Sequence, residues 1–519
     1  MKAGRPLLIL ALGLLAAAGA AAAFAGGKGT SNSTATPQHG GSITIARIED
    51  SQSFDKTNVF QNESIWLAEQ IMEPLYTVTA DGRSEKPWLA TSYKVSNGGK
   101  TYTFKLRQGV KFSNGQPMTS ADVKFSLDDA RAQSKGWGFL DTAIKNITAP
   151  SPDTVVVNLK YRWAPFLADI ALFANGIIPN HFAGQTRKAF YSHPIGTGPF
   201  MWDKRVVGQS VTFQRNPYYW QKGKPYLDSV TWTYVTDENT RGLQLQGNQI
   251  QVDEFPPFNS ISKLQHTSGV TMTLFPSTRT DYFVMNEQYP PLADVHVRRA
   301  ISYAIDRQAI VKAVLFGYGK PANSFLPPKV PFYSPSSGGL QYNMAKAKAE
   351  LAKSKYPNGF KVSMLVGAGA QVEQAEGQIV QASLKQLGID VTFKQEDTST
   401  EFNDVEKQKY QTAFQYWTMD IADPDELVTF AVDPAGGAHS FYTDYNNPTV
   451  VKLSHEAQRE SNVAKRAQEY TKLQQLAAQD AFMGFLYYSP FRYAYSSKLH
   501  GFFVYPLGNY HLEDAWLSK

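Results

Sequence analysis

The chain has 519 residues, 42% hydrophobic and 18% charged, with a formal net charge of +6 and no cysteine. That length exceeds what one hydrophobic core usually supports, so two or three lobes are expected. The lack of cysteine excludes disulfides, thiolate metal sites and a cysteine nucleophile. Mild basicity without an arginine-rich block argues against nucleic acid.

Lys2 and Arg5 precede an apolar run, Leu7–Ala25, that ends in Ala23-Phe24-Ala25. This predicts a secretory signal peptide over 1–25, cleaved after Ala25. An uncleaved anchor is the rival reading; the alanine content and small-residue exit favour cleavage. No cysteine follows the run to carry a lipid, so a soluble periplasmic protein is expected. Residues 26–39 read as a flexible linker.

"GSITIARIED" alternates as a strand with Ile43 and Ile45 on one face, and "IWLAEQIMEPLY" suggests a helix limited by Pro74. In "TYTFKLRQGVKF", Tyr102, Phe104 and Leu106 share one face of a strand. A helix follows, with Thr119 and Asp122 spaced as a capping box and Val123, Leu127 and Ala130 as its buried stripe. "DTVVVNLK" and "SVTWTYV" are further strands. "HVRRAISYAIDRQAIVKAVL" reads as one helix, and "NMAKAKAELAKS" as another capped by Asn343. "FKVSMLVG", "GQIVQASLKQLGI" and "DVTFKQED" read as a strand–helix–strand crossover. A long helix covers "AKRAQEYTKLQQLAAQDA". The alternation predicts an α/β chain.

Motifs for chemistry fail on inspection. "GGKT" at Gly98–Thr101 lacks the glycine a phosphate loop needs at position 94, which is Lys94, and it precedes a strand; a hairpin turn fits better. "HEAQR" at His455 lacks its second histidine, since position 459 is Arg459. No Gly-x-Ser-x-Gly elbow is present. No enzyme activity, metal or cofactor is therefore expected; a secreted hydrolase with a dispersed triad is the rival class.

The stretch "YWTMDIADPDEL" (416–427) carries four carboxylates. Asp423, Pro424 and Glu426 have the spacing of a helix cap, a first-position proline and a capping box, with Asp425 complementing the helix dipole. Asp420 has no such role. It follows what reads as a strand end, where α/β proteins bind ligands; the bland alternative is an aspartate bonding its own loop amides. Tyr416 and Trp417 could line a cleft or pack in a core, and so could Trp137 in "SKGWGFL".

Five segments, taken together, carry a family resemblance: "YTFKLRQGVKFSNGQPMTSADVKFS" (102–126), "PIGTGPF" (194–200), "RNPYYW" (215–220), "DVHVRRAISYAIDRQAIV" (294–311) and "WTMDIADPDE" (417–426). Their order and spacing resemble the bacterial extracellular solute-binding proteins of family 5, which include the periplasmic dipeptide- and oligopeptide-binding components of ABC importers. The resemblance implies a type II periplasmic-binding-protein clamshell with an additional third domain. Lobe I would comprise 40–82, 196–279 and 490–519, the extra domain 83–195, and lobe II 280–489, with the hinge near 280 and 490. It implies a monomer that closes on a peptide and docks on membrane permease subunits. Other cargoes in the same role are an opine, an oligosaccharide or a chelated metal. In peptide-binding members an aspartate after a Trp-x-x pattern pairs with the ligand's α-ammonium. Trp417, Thr418, Met419 and Asp420 match it, which makes these four, with Tyr416 and Trp137, the candidate ligand-binding residues. One departure is that 366–380 contains no Arg or Lys, whereas dipeptide-selective members use an arginine in the second lobe for the ligand's carboxylate. In "GTGPF" the glycines most simply permit a tight turn.

Overall fold

The computed structural model describes residues 36–519 apart from 134, 135, 437 and 439. The expected leader and most of the expected linker lie outside the described residues. Three sheets organise Gln38–Lys519, which forms a single compact unit.

The first sheet has seven strands, in the order Val270–Phe275, Phe491–Ser496, Val252–Glu254, Ser42–Arg47, Ser229–Tyr234, Ser210–Arg215 and Phe200–Val206. Ser42–Arg47 runs parallel to both of its neighbours, and Ile43 and Ile45 are buried as the alternation predicts. The second sheet has six strands: Lys320–Pro321, Met483–Tyr488, Thr280–Met285, Thr412–Trp417, Lys361–Gly367 and Asp390–Glu396. The last three are mutually parallel, so their carboxyl ends lie side by side. The helix Gln371–Lys385 joins Lys361–Gly367 to its parallel partner. The third sheet is antiparallel and four-stranded, in the order Ala90–Ser96, Thr101–Leu106, Thr154–Leu159, Ile144–Ser151. It has its own apolar cluster around Phe104, Val123, Leu127, Val155 and Val157.

The chain passes from the first sheet to the second between Phe275 and Thr280, and returns between Tyr488 and Phe491. At this double crossing the Arg279 guanidinium grips Asp281 (Nη2–Oδ1 2.6 Å), and the Ser489 hydroxyl donates to the same carboxylate at 3.2 Å.

Local rules account for many elements. Asp122 accepts both the amide and the hydroxyl of Thr119, at 2.7 and 2.8 Å, ahead of the helix Ser120–Ala132. Asn343 caps Met344–Leu351. "GGKT" lies at the turn joining two antiparallel strands. Three expectations need correction. The first helix is Asn62–Ala68 and ends well before Pro74. The helix expected over 296–315 is two helices, Val295–Ala304 and Arg307–Ala313, and Asp306 caps the second by accepting the Ala309 amide at 2.9 Å. Its short polar side chain competes with helix continuation there. The glycines of "GTGPF" serve close approach rather than a turn. The Gly198 amide donates to the Ile71 carbonyl at 2.8 Å. A Cβ at Gly196 would sit 1.9 Å from that same oxygen, and one at Gly198 would sit 2.4 Å from the Gln70 oxygen.

Candidate functional site

The loop after Thr412–Trp417 is organised by one buried carboxylate. Glu426 Oε1 accepts the Trp417 indole N–H at 2.7 Å, and Oε2 accepts the amides of Asp420 and Ile421 at 2.7 and 3.0 Å. This corrects the capping-box expectation, because Glu426 does not reach back to the helix start. Asp423 does: its Oδ1 accepts the Asp425 amide at 3.0 Å, next to Pro424 with helical dihedrals. Asp423 also forms a buried two-point pair with Arg466, at 2.6 and 2.9 Å. The helix Asp425–Val432 is buried at every residue, so the acids that begin it face protein, not water.

Asp420 is half-buried, and its carboxyl shares a hydrogen bond with that of Glu426. Burial, then the Glu426 charge, then the Glu69 charge hold the Asp420 carboxyl well above the usual carboxylate range. Glu69 follows the helix Asn62–Ala68. Its Oε1 accepts from Asn509 at 3.2 Å, while its buried Oε2 has no partner. Burial pushes Glu69 up to about 7, opposed by His511 and the Asn509 bond. Glu426 is pushed up to about 8 by burial, opposed by its N–H donors. Because Glu426 already accepts three N–H donors, the proton of this pair belongs on Asp420, which donates it to Glu426. The site thus holds more carboxylate than cation, and a positive group meeting it would displace that proton.

A pH dependence follows. An amine that enters as a cation and expels a proton binds more tightly as pH rises from 6 towards 8, and more weakly once its own proton is lost, above about 8 for an α-amine. Calorimetry in buffers of different ionisation enthalpy should show net proton release at pH 7.

The other candidate residues surround this point. Trp417 is buried, with its ring centroid 4.3 Å from Phe430, 5.5 Å from Phe441 and 6.3 Å from Trp137. Trp137 is fully packed: its indole N–H donates to the Val59 carbonyl at 2.7 Å and its ring lies 5.0 Å from Phe60. The two tryptophans therefore join one aromatic cluster linking segments near 60, 137 and 417–441. Met419 is fully buried, and Thr418 is buried with an unpartnered Oγ1. Tyr416 is 39% exposed, and desolvation pushes its phenol well up. The Arg279 guanidinium stacks 3.7 Å over that ring.

Reading the sequence missed Glu69, Arg279 and the bracing role of Glu426. None has a local signature, since each meets the site through the fold. Among the described residues no group of His, Asp or Glu is placed to hold a metal, and no helix is long and apolar enough to cross a membrane.

Comparison with known proteins agrees with this architecture. The family described as bacterial extracellular solute-binding proteins, family 5 Middle, matches residues 85–438. A glutathione-binding protein of Escherichia coli, GsiB, is 31% identical over 442 residues, covering 83% of this chain and 86% of its own. Two solved structures superpose with a TM-score of 0.85 at 26% identity. One is the periplasmic binding protein DppA of Helicobacter pylori in complex with the peptide STSA, covering 93% of this chain and 99% of that one. The other is the oligopeptide-binding protein AppA of Bacillus subtilis in complex with a nonapeptide, covering 93% and 100%. The fold is the α/β type II clamshell of periplasmic binding proteins, and the chain belongs to the bacterial extracellular solute-binding proteins of family 5, the solute-capturing components of ABC importers.

Proposed function

We propose that this protein captures peptides in the periplasm, holding the peptide α-ammonium at Asp420, and delivers them to membrane permease subunits. One observation carries the proposal: in a basic chain the half-buried Asp420 carboxyl sits among the charges of Glu426 and Glu69, and the buried Glu69 Oε2 has no partner. Leaving two carboxylates desolvated is costly unless a cation meets them, and an ammonium has three donors for such a site. The peptides named for the DppA and AppA structures support that cargo class. Asp420 follows a strand of the second sheet and Glu69 lies beside the first, so a ligand touching both favours the closed arrangement by its differential affinity. In this reading lobe I is 40–82, 196–279 and 490–519, the extra domain is 83–195, and lobe II is 280–489. Tyr416, Trp417, Thr418, Met419 and Trp137 form or back the wall around the ammonium.

The test is binding of a tetrapeptide and its N-acetylated form. Acetylation removes the charge and should weaken binding by about 30-fold or more, because the acids then meet no cation. Equal binding of both forms would remove the ammonium from the mechanism. Mass spectrometry of small molecules released from the denatured protein should recover intact peptide.

A further inference from the structure

A second acidic pole lies along the same row of strand ends. Lys361–Gly367 and Asp390–Glu396 run parallel beside Thr412–Trp417. Each leads, as that strand leads to Asp420, into a segment bearing a carboxylate: Glu373 in the first turn of Gln371–Lys385, and Glu401 in the first turn of Thr398–Glu406. The two converge. Glu401 Oε2 and Glu373 Oε2 lie 3.0 and 3.4 Å from the point that a side chain at Gly367 would occupy. The Gly367 amide donates to Glu373 at 2.9 Å. Glu401 is only 4% exposed, and no hydrogen bond or ion pair among the described residues reaches its carboxylate. Its carboxylate meets another acid and no cation, an arrangement that is costly unless a cation joins it.

The pole faces the other lobe. Glu49 follows the carboxyl end of Ser42–Arg47, is held by the Gln61 side chain at 3.0 Å, and its charge acts on Glu373, Glu401 and Tyr416. The cations nearby are already engaged: Arg279 grips Asp281, and Lys394 pairs with Glu396 and Asp404. Burial and mutual repulsion push Glu401 up to about 8. No three of these acids are placed to hold a metal ion among the described residues, whereas an organic cation needs only one or two carboxylates.

We infer that the cleft takes peptides with a second positive charge, and that Glu373 and Glu401, faced by Glu49, receive a lysine or arginine side chain of the cargo. This rests on the ammonium reading of Asp420 and extends it to side-chain specificity. Glutathione, named for the GsiB relative, has two carboxylates and one ammonium, the opposite balance.

Calorimetric titration of tripeptides carrying lysine at position 2 or 3, against analogues with norleucine at the same place, tests the inference. One lysine peptide should bind about 10- to 100-fold tighter than its analogue, as expected of a desolvated, charge-assisted contact. In Glu401→Gln, and further in Glu373→Gln/Glu401→Gln, the ratio should fall towards one. Both variants should resist heat at least as well as the parent, since each removes a buried, unpaired acid. Peptides that bind with no lysine preference at either position, or a preference that survives both substitutions, would overturn the second cation site while leaving peptide capture standing. Binding of 1,4-diaminobutane that depends on Glu401, with no peptide bound, would keep the cation site and overturn peptide capture. Absence of binding by peptides and diamine alike would remove both.

Discussion

Asp420→Asn is expected to lose peptide affinity by about 30-fold or more while gaining thermal stability. The two effects share one cause. In the free protein Asp420 is held against the charges of Glu426 and Glu69. Asparagine keeps its shape and removes one of three crowded acids. With peptide bound, the same change leaves an ammonium facing a neutral amide, and breaking a buried charge contact costs about 2–5 kcal/mol. A residue that merely orders its loop would lose stability with affinity, so opposite signs in melting temperature and affinity identify the anchor. The pH course should agree. Glu69 and Glu401 are pushed up to about 7 and 8 in the fold, above their ordinary value near 4.5, and Asp420 is held well above its own. The folded state therefore binds more protons than the unfolded one between roughly pH 4.5 and 8, and these groups make the free protein less stable as pH rises through that window. Asp420→Asn should flatten that slope. Loss of affinity without a stability gain, or no loss of affinity, would contradict the assignment.

Arg466→Met is expected to destabilise the fold by about 3–5 kcal/mol, the usual cost of stranding one member of a buried ion pair. The pair is nearly inaccessible, with 7% and 9% of the Arg466 and Asp423 side chains exposed. The guanidinium also stacks on Phe332 and Tyr470, 5.1 and 5.2 Å from the ring centroids. Methionine fills much of that volume but leaves Asp423 charged beside Asp425. Adding Asp423→Asn should recover most of the loss, because asparagine still offers an oxygen to the Asp425 amide. Urea unfolding of both variants measures this; a double variant no more stable than the single would show that ring packing, not charge, makes Arg466 matter.

How much of this was legible in the sequence depends on range. Period-two alternation located Ser42–Arg47 and Thr101–Leu106, and short-range capping rules located Thr119–Asp122 and Asn343, because those patterns are complete within a few residues. The same rules misled at Glu426, whose spacing from Asp423 fits a capping box while its partners are an indole nine residues upstream and two loop amides. The break at Asp306 was hidden by apolar spacing that runs on through both helices. Trp137 and Trp417 meet across 280 positions of sequence, and the Glu373–Glu401 convergence exists only because two parallel strands end side by side. No local pattern encodes such meetings. The family resemblance supplied Asp420, and the fold supplied the carboxylates around it.

The strand Phe491–Ser496 lies inside the first sheet, between Val270–Phe275 and Val252–Glu254. The sheet therefore joins strands made before the second sheet to one made after it. Until those late residues arrive, two strands present bare edges, the kind of surface that pairs with other chains, and closing them waits on contacts spanning most of the polypeptide, which are slow to form. Shortening the chain from its C-terminus would thus remove an interior plank of the sheet, not trim a tail. The first sheet is completed only after all six strands of the second have been made.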